Sequence, residues 1–210
     1  MIPAPLIAET LVVDFESTPL GEAPVGFITS VTGEGPAGRW IVQDDPEAPS
    51  GARVLAQTSA DPRTAQFPLA IYSDFSAADV DLSVRFRPIS GKTDQAAGLV
   101  WRYLDENNYY VVRANALEGN VVLYKVHDGE RADLPLVGQG RTYGAQAAVP
   151  ADTWSVLGLQ AKGDRFTVSL NGAERFEVQD RTFEQAGRVG LWTKADSVSG
   201  FDDLTITTFP

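Results

Sequence analysis

Apolar and polar residues alternate along much of this chain, and the alternation is clearest near its middle. In VDLSVRF (residues 80–86) every second residue from Val80 to Phe86 is apolar, and the residues between them are polar. Successive side chains of a β-strand point to opposite faces, so this spacing predicts a strand with one buried and one solvated face.

Three further apolar segments follow, at residues 97–104, 108–116 and 120–128. They are divided by Asp105-Glu106-Asn107 and by Glu118-Gly119, which are short polar turn sequences. Short turns join antiparallel neighbours, so we predict a meander of consecutive strands.

The remaining strands are predicted at residues 11–16, 39–43, 153–164, 165–172, 174–179, 187–194 and 201–209. Asn171-Gly172 predicts a type I′ hairpin turn, because both residues tolerate positive φ. Residues 44–52 are predicted to form a loop, and residues 182–185 allow a short helical turn. No long amphipathic helix is predicted anywhere.

About a dozen short strands at intervals of roughly 8–12 residues indicate an all-β sandwich or barrel. With 210 residues, 43% of them hydrophobic, the chain fits one large β domain with a substantial core. We therefore predict a single domain over residues 1–210, with residues 1–10 as an irregular N-terminal segment.

Charge and composition exclude several classes of function. The formal charge of −11 argues against nucleic acid and against anionic membrane surfaces, which attract basic proteins. Cysteine is absent, so disulfides and thiolate metal sites are excluded. The opening MIPAPLIAETLVVDF has neither the basic start of a signal peptide nor an apolar stretch long enough to span a membrane, so no membrane insertion is expected.

Several ordered motifs resemble one family. GLVWRYLDENNYYVVRANALEGNVVLYKVHDGER (98–131) is similar to the central meander of bacterial laminin-G-like domains of the concanavalin A-like lectin/glucanase superfamily. TWSVLGLQAKGDRFTVSLNG (153–172) and GRVGLWTKADSVSGFDDLTI (187–206) resemble the last strands of those domains. The resemblance implies a jelly-roll sandwich of two antiparallel sheets and a protein that acts outside the cytoplasm, secreted or periplasmic. Lectins, carbohydrate-binding modules, glucanases and 3-keto-disaccharide hydrolases share the superfamily, so function stays open.

A sugar site is predicted on the concave face of the central sheet. Aromatic rings stack on the C–H faces of sugars, and planar amide or guanidinium donors bind hydroxyl groups. The pleat is expected to place Trp101 and Tyr103 on one face and Arg102 on the other. Large aromatics on strands also serve as core residues, and arginines as surface ion pairs. The candidate ligand-binding residues are Arg102, Tyr110, Arg113, Asn115, Lys125, Trp192 and Lys194.

Structural calcium is expected where the first and last strands meet, because related jelly rolls bring carboxylates together there. Ca²⁺ takes six to eight oxygen ligands and relieves the repulsion between clustered carboxylates. The ordinary alternative is that these acids are solvated strand ends. The candidate ligands are Asp14, Glu16, Asp202 and Asp203.

No catalytic residue can be assigned from sequence. The single histidine, His127, stands at a strand end, where a solvated side chain is expected. The E-x-D-x-x-E strand of laminarinase-type glucanases is absent, and the acids Asp94, Asp105, Glu106 and Glu118 fall in predicted turns, where solvation is expected. No nucleotide- or dinucleotide-binding motif occurs, so no organic cofactor is expected.

The leading hypothesis is a non-catalytic, lectin-like module that binds carbohydrate on its concave sheet face. A second hypothesis is a glycoside-processing hydrolase of the 3-keto-disaccharide hydrolase-like group, which needs a carboxylate pair or a metal in the cleft. A third is a structural or adhesive domain. The identity of the sugar and the oligomeric state stay open.

Overall fold

A computed structural model describes residues 8–209, and these residues form sixteen strands. Residues 1–7 of the predicted irregular segment 1–10 lie outside the described residues. The first strand begins at Thr10. The strands are β1 Thr10–Val13, β2 Phe27–Gly33, β3 Trp40–Asp44, β4 Arg53–Gln57, β5 Gln66–Ala77, β6 Val80–Ser90, β7 Ala96–Asp105, β8 Asn108–Asn115, β9 Asn120–His127, β10 Glu130–Asp133, β11 Ala145–Gln146, β12 Ser155–Lys162, β13 Arg165–Leu170, β14 Ala173–Gln179, β15 Gly187–Trp192 and β16 Val198–Thr208.

The strands form two antiparallel sheets of eight strands each. Sheet 1 has the order β14-β13-β12-β6-β16-β4-β3, with β1 paired to β16. Sheet 2 has the order β10-β9-β8-β7-β15-β5-β2, with β11 paired to β9. The described residues contain no helix of the length and hydrophobicity that a membrane span requires.

The predicted turns and meander are confirmed. Strands β7, β8, β9 and β10 pair consecutively in sheet 2. Strands β13 and β14 are joined by Asn171-Gly172, whose φ values of 52° and 76° are both positive, as a type I′ turn requires. The short helical turn at residues 182–185 does not form. Instead the Asp180 carboxylate accepts the Thr182 amide, and the Tyr110 hydroxyl accepts the amide of Phe183.

The main hydrophobic core lies between the two sheets. Strand β6 alternates buried and less buried residues along its length, as its sequence predicts, and Leu82, Val84 and Phe86 face the core. On sheet 2 the stacked rings of Trp101 and Tyr110 lie 5.3 Å apart in this core. The two sheets therefore form the predicted jelly-roll sandwich.

The outer face of sheet 2 is also buried, by a second hydrophobic cluster. Its largest members include Tyr109, Tyr124 and Trp192. This explains why β8 is apolar on both sides: Tyr110 faces the sandwich core, whereas Tyr109 and Arg113 face outward. One face of β8 therefore packs in the core between the sheets, and the other packs in the outer cluster.

A bulge in β7 overturns one expectation about its faces. Trp101 lies in the core between the sheets, whereas Tyr103 lies in the outer cluster, although the regular pleat placed both on one face. The register between β7 and β8 shifts after Trp101, and Arg102 has a φ of 47°. The extra residue of a bulge reverses the alternation of the side chains that follow it.

Candidate functional site

Polar side chains gather at one end of the outer face of sheet 2. Eight residues form this group, which we call the Arg113 cluster. They are Asp94, Arg113, Asn115, Glu118, Asn120, Tyr124, Tyr143 and Lys194.

Arg113 is the centre of the cluster, and its side chain is 1% exposed. One terminal nitrogen donates to Glu118 at 2.7 Å, to the hydroxyl of Tyr124 at 3.1 Å and to that of Tyr143 at 3.4 Å. The other donates to the amide oxygen of Asn120. Charge-assisted hydrogen bonds of this kind hold a planar guanidinium in one orientation.

A second chain of contacts runs from Glu118 to Lys194. The amide nitrogen of Asn115 donates to Glu118 at 3.1 Å and to Asp94 at 2.8 Å. The other oxygen of Asp94 lies 2.9 Å from the ammonium group of Lys194. Two acids, two cations and an amide are thus joined into one network, which neutralises their charges pairwise.

The β8–β9 turn positions the acidic part of the cluster. Asn115 and Asn120 lie opposite each other as the last and first residues of the two strands. The amide oxygen of Asn115 accepts the backbone N–H of Leu117, and Gly119 has a φ of 59°. This tight turn returns Glu118 towards both asparagines.

The segment before β11 positions Tyr143. A Cβ on Gly144 would lie 2.1 Å from the carbonyl oxygen of Val121, so only glycine allows β11 to approach β9 here. Tyr143 itself has a φ of 57° and is 44% exposed. Its hydroxyl reaches the buried network, while its ring stays at the surface.

The electrostatics of the cluster favour the ionised form of Glu118. Burial alone raises the pKa of Glu118, but the charge of Arg113 and hydrogen bonds from Asn120 and Arg113 hold that pKa below its usual range. Burial alone lowers the pKa of Arg113, but the neighbouring Tyr124 and Glu118 raise it overall. The Glu118 side chain is 32% exposed, so this ionised acid is available to a ligand.

Aromatic rings continue the outer face beside the cluster. Phe67 and Trp192 are stacked, with ring centres 5.6 Å apart and planes inclined by 10°. The guanidinium of Arg131 lies 4.6 Å from the centre of the Phe67 ring and 4.5 Å from that of Tyr124. Cation–π contacts of this length fix the arginine over the rings.

Of the seven predicted ligand-binding residues, four lie on this outer face. Arg113, Asn115 and Lys194 belong to the Arg113 cluster, and Trp192 lies in the adjoining aromatic group. Trp192 and Lys194 lie on the same face of sheet 2, as their alternation in the sequence predicts, although β15 ends at Trp192.

The structure places the other three predicted residues on the opposite side of sheet 2. Because of the β7 bulge, Arg102 donates to the carbonyl oxygens of Ala78, Gly163 and Phe183. Tyr110 and Lys125 share Asp180: the tyrosine donates to one oxygen and the ammonium lies 3.1 Å from the other. These three side chains hold loops together and do not reach the Arg113 cluster.

Several members of the cluster were not among the candidates. Asp94 was expected to be solvated but is 2% exposed, so that expectation is wrong. Glu118 also forms part of the network, although its turn sequence suggested solvation. Tyr143 lies in a segment with no strand pattern, and the Tyr-Gly pair that precedes β11 is the sequence signal that marks it.

The four predicted calcium ligands do not gather around one point. Glu16 accepts the backbone N–H groups of residues 52 and 53, and these bonds lower its pKa. Asp202 and Asp203 both accept hydrogen bonds from Ser50, and Arg85 binds Asp203 at 2.9 Å. Asp14 accepts the amide of Glu16.

Within residues 8–209, no group of three or more acidic or histidine side chains is arranged to hold a metal ion. The four carboxylates as placed are therefore a poor fit to a calcium site. A cation would relieve the repulsion between the adjacent carboxylates of Asp202 and Asp203. Calcium binding at these two residues stays a prediction.

His127 lies apart from the cluster and is half exposed. Its Nδ1 is 3.7 Å from a carboxylate oxygen of the exposed Asp128. Its ring centre lies 5.9 Å from that of Phe183. This position agrees with the solvated histidine that the sequence predicted.

Solved structures share this architecture. The carbohydrate-binding module CBM66 from Bacillus subtilis has a TM-score of 0.64 at 20% identity, over 87% of this chain and 96% of that chain. Domain 4 of AbnA, a GH43 extracellular arabinanase from Geobacillus stearothermophilus in complex with arabinotriose, has a TM-score of 0.53 at 17% identity, over 85% and 81%. A Bacillus subtilis protein of unknown function with a galectin-like fold has a TM-score of 0.52 at 10% identity, over 88% and 90%.

These similarities confirm the jelly-roll sandwich fold that the sequence motifs predicted. No family model and no curated protein sequence matches the chain. At identities of 20% or less the likeness establishes the fold alone, so function has to be argued from the site.

Proposed function

We propose that the protein is a non-catalytic, lectin-like module that binds carbohydrate at the Arg113 cluster. The observation that carries this proposal is a buried arginine beneath a partly open rim, formed by Glu118, Lys194 and the exposed ring of Tyr143. Hydroxyl groups of a sugar match the charged acceptors and donors, and a sugar C–H face matches the tyrosine ring.

The named functions of two similar structures support this proposal. CBM66 is a carbohydrate-binding module, and domain 4 of the arabinanase was solved with arabinotriose. That arabinanase is extracellular, and we propose that this protein also acts outside the cytoplasm.

Calorimetric titration with neutral arabino-, fructo- and galacto-oligosaccharides and with oligouronates tests the proposal. We expect one class to bind, and Glu118→Gln to weaken that binding at least about tenfold, which corresponds to about 1.4 kcal/mol. Glu174→Gln, an exposed acid on β14 of sheet 1, is the matched control. Failure of every sugar to bind, or equal binding by Glu118→Gln, would contradict the proposal.

One observation favours a second function, that of a glycoside-processing hydrolase. Asp94 and Glu118 accept hydrogen bonds from the same amide nitrogen of Asn115, so the buried carboxylate of Asp94 lies close to the partly exposed one of Glu118. Glycoside hydrolases use such carboxylate pairs. Release of products from 3-keto-glycosides by the wild type, abolished in both Asp94→Asn and Glu118→Gln, would establish this function. If the protein shows neither sugar binding nor turnover, a structural or adhesive role remains.

A further inference from the structure

Arg131 brings a positive charge onto the outer face of sheet 2 without an acidic partner. Its guanidinium carbon lies 4.5 Å from the ring centre of Tyr124, 4.6 Å from that of Phe67 and 5.8 Å from that of Trp192. Within residues 8–209 no carboxylate forms a salt bridge with it, and its buried Nη1 has no hydrogen-bond acceptor.

The acid on the same face of β10 is already engaged. Asp133 lies two residues further on, and therefore on the same face of the strand, but Arg141 binds its carboxylate at 2.9 Å. The Nη1 atom itself is buried, so a ligand contacts the guanidinium through its other nitrogens, which donate no hydrogen bond within residues 8–209. Arg131 is thus suited to bind an acceptor that the described chain does not supply.

Around Tyr124, the positive charge of Arg131 is not balanced by a carboxylate of the described chain, whereas those of the neighbouring cations are. Arg113 lies 5.8 Å from the centre of the same ring and is paired with Glu118. Lys194 is paired with Asp94. Of these three cations, Arg131 alone lacks a carboxylate partner within residues 8–209, although the chain as a whole carries a formal charge of −11.

We propose that Arg131 makes the sugar site selective for acidic sugars, by binding the carboxylate of a uronic acid residue. A guanidinium matches a carboxylate with two parallel hydrogen bonds, which an uncharged hydroxymethyl group cannot accept as well. Because Arg113 and Arg131 both lie within about 6 Å of the Tyr124 ring centre, one short oligosaccharide can contact Arg131 and the rim of the Arg113 cluster together. This inference rests on the proposed function, since it assigns a sugar class to the same face.

Matched ligands test the selectivity. Oligomers of galacturonate, glucuronate and mannuronate are compared by calorimetry with the same oligomers after reduction of their carboxyl groups. We expect the wild type to bind at least one acid form more than tenfold tighter than its reduced form. Arg131→Gln should lose that preference and bind the reduced form within about twofold of the wild type. Arg175→Gln, which removes an exposed arginine from sheet 1, should change neither.

The outcomes separate this inference from the function on which it rests. Equal affinity for the acid and reduced forms, with binding still dependent on Glu118, would overturn the uronate assignment and leave sugar binding intact. A preference for sulfated over carboxylated sugars would also overturn it. If no sugar of either kind binds, both proposals fail.

Discussion

The hydroxyl groups of Tyr143 and Tyr124 lie 2.8 Å apart, which joins an exposed ring in a loop to a buried ring on β9. Tyr143 adopts a φ of 57°, a region that bulky L-residues rarely occupy. Backbone conformations of this kind persist only where the surrounding structure enforces them, and they cluster at ligand sites. The pair therefore links the rim of the proposed site to its buried floor.

Removal of the Tyr143 ring should weaken sugar binding. We expect Tyr143→Ala to reduce affinity about tenfold, because the stacking surface is lost, and Tyr143→Phe to retain most of it. Calorimetric titration with the sugar that binds best measures both. Val25→Ala, another exposed apolar residue, is the control. Wild-type affinity in Tyr143→Ala would place the sugar elsewhere.

Replacement of Gly144 should disturb β11 and, through it, Tyr143. A Cβ at Gly144 meets the Val121 carbonyl oxygen at 2.1 Å, whereas nothing lies within 4 Å of a Cβ at Gly138. Both glycines have positive φ, of 70° and 75°, so alanine at either position carries a similar backbone cost. We expect Gly144→Ala to lower the free energy of unfolding by about 1–3 kcal/mol more than Gly138→Ala. Urea denaturation measures the difference, and equal effects would contradict the close approach.

Loss of Arg113 should destabilise the fold as well as the site. Arg113→Met removes the cationic partner of Glu118 and a donor to the Asn120 amide oxygen, and removal of one partner from a buried ion pair costs about 3–5 kcal/mol. Glu118 is partly exposed, so we expect the lower end of this range. The double variant Arg113→Met/Glu118→Gln should recover part of the loss in urea denaturation. A single variant as stable as the wild type would show that the network contributes little.

Much of the fold could be predicted from local patterns. Strand β6 alternates strictly and Asn171-Gly172 specifies its turn, so both are encoded by a few neighbouring residues. Strand β5, the longest at 12 residues, was not predicted. It contains Pro68, and its ladder to β2 and β15 joins segments far apart in sequence.

The candidate site was only partly predictable, because it depends on register and on loops. The shared face of Arg113 and Asn115 follows from simple alternation along β8. In β7, the bulge at Arg102 moves the side chains after Trp101 to the opposite faces of the sheet. A bulge inserts one residue without a clear sequence signature here. Tyr143 reaches the site from a loop whose path is set by the pairing of β11 with β9.

The stability of the protein should depend on pH through Asp202. Burial, with the like charge of Asp203, raises the pKa of Asp202 to about 6, against about 3.9 when unfolded. Between these values the folded state binds more protons, so the free energy of unfolding falls as pH rises from about 4 to about 6. The loss is on the order of 3 kcal/mol and is constant above about pH 6.

Asp202→Asn should abolish this contribution. Other acids titrate in the same range, so the informative quantity is the difference between the wild type and Asp202→Asn in urea denaturation from pH 4 to 8. That difference should favour the variant increasingly as pH rises. A constant difference would show that Asp202 ionises normally.

Calcium at Asp202 and Asp203 is tested by thermal melts in EDTA and with added Ca²⁺. A cation between two adjacent carboxylates stabilises the folded state by mass action and raises Tm. If the site exists, Asp203→Asn should abolish the rise, while Asp81→Asn on sheet 1 should not. A melt that is the same in EDTA and in millimolar Ca²⁺ would rule out this proposal.

The location of a bound sugar tests the central claim most directly. We would determine a crystal structure with the oligosaccharide that binds best in calorimetry. The proposed function predicts a sugar within hydrogen-bond distance of Glu118 and in contact with the ring of Tyr143. A sugar bound instead on sheet 1, for example over the groove lined by Ser83, Gly158 and Thr167, would contradict the assignment of the site to the Arg113 cluster.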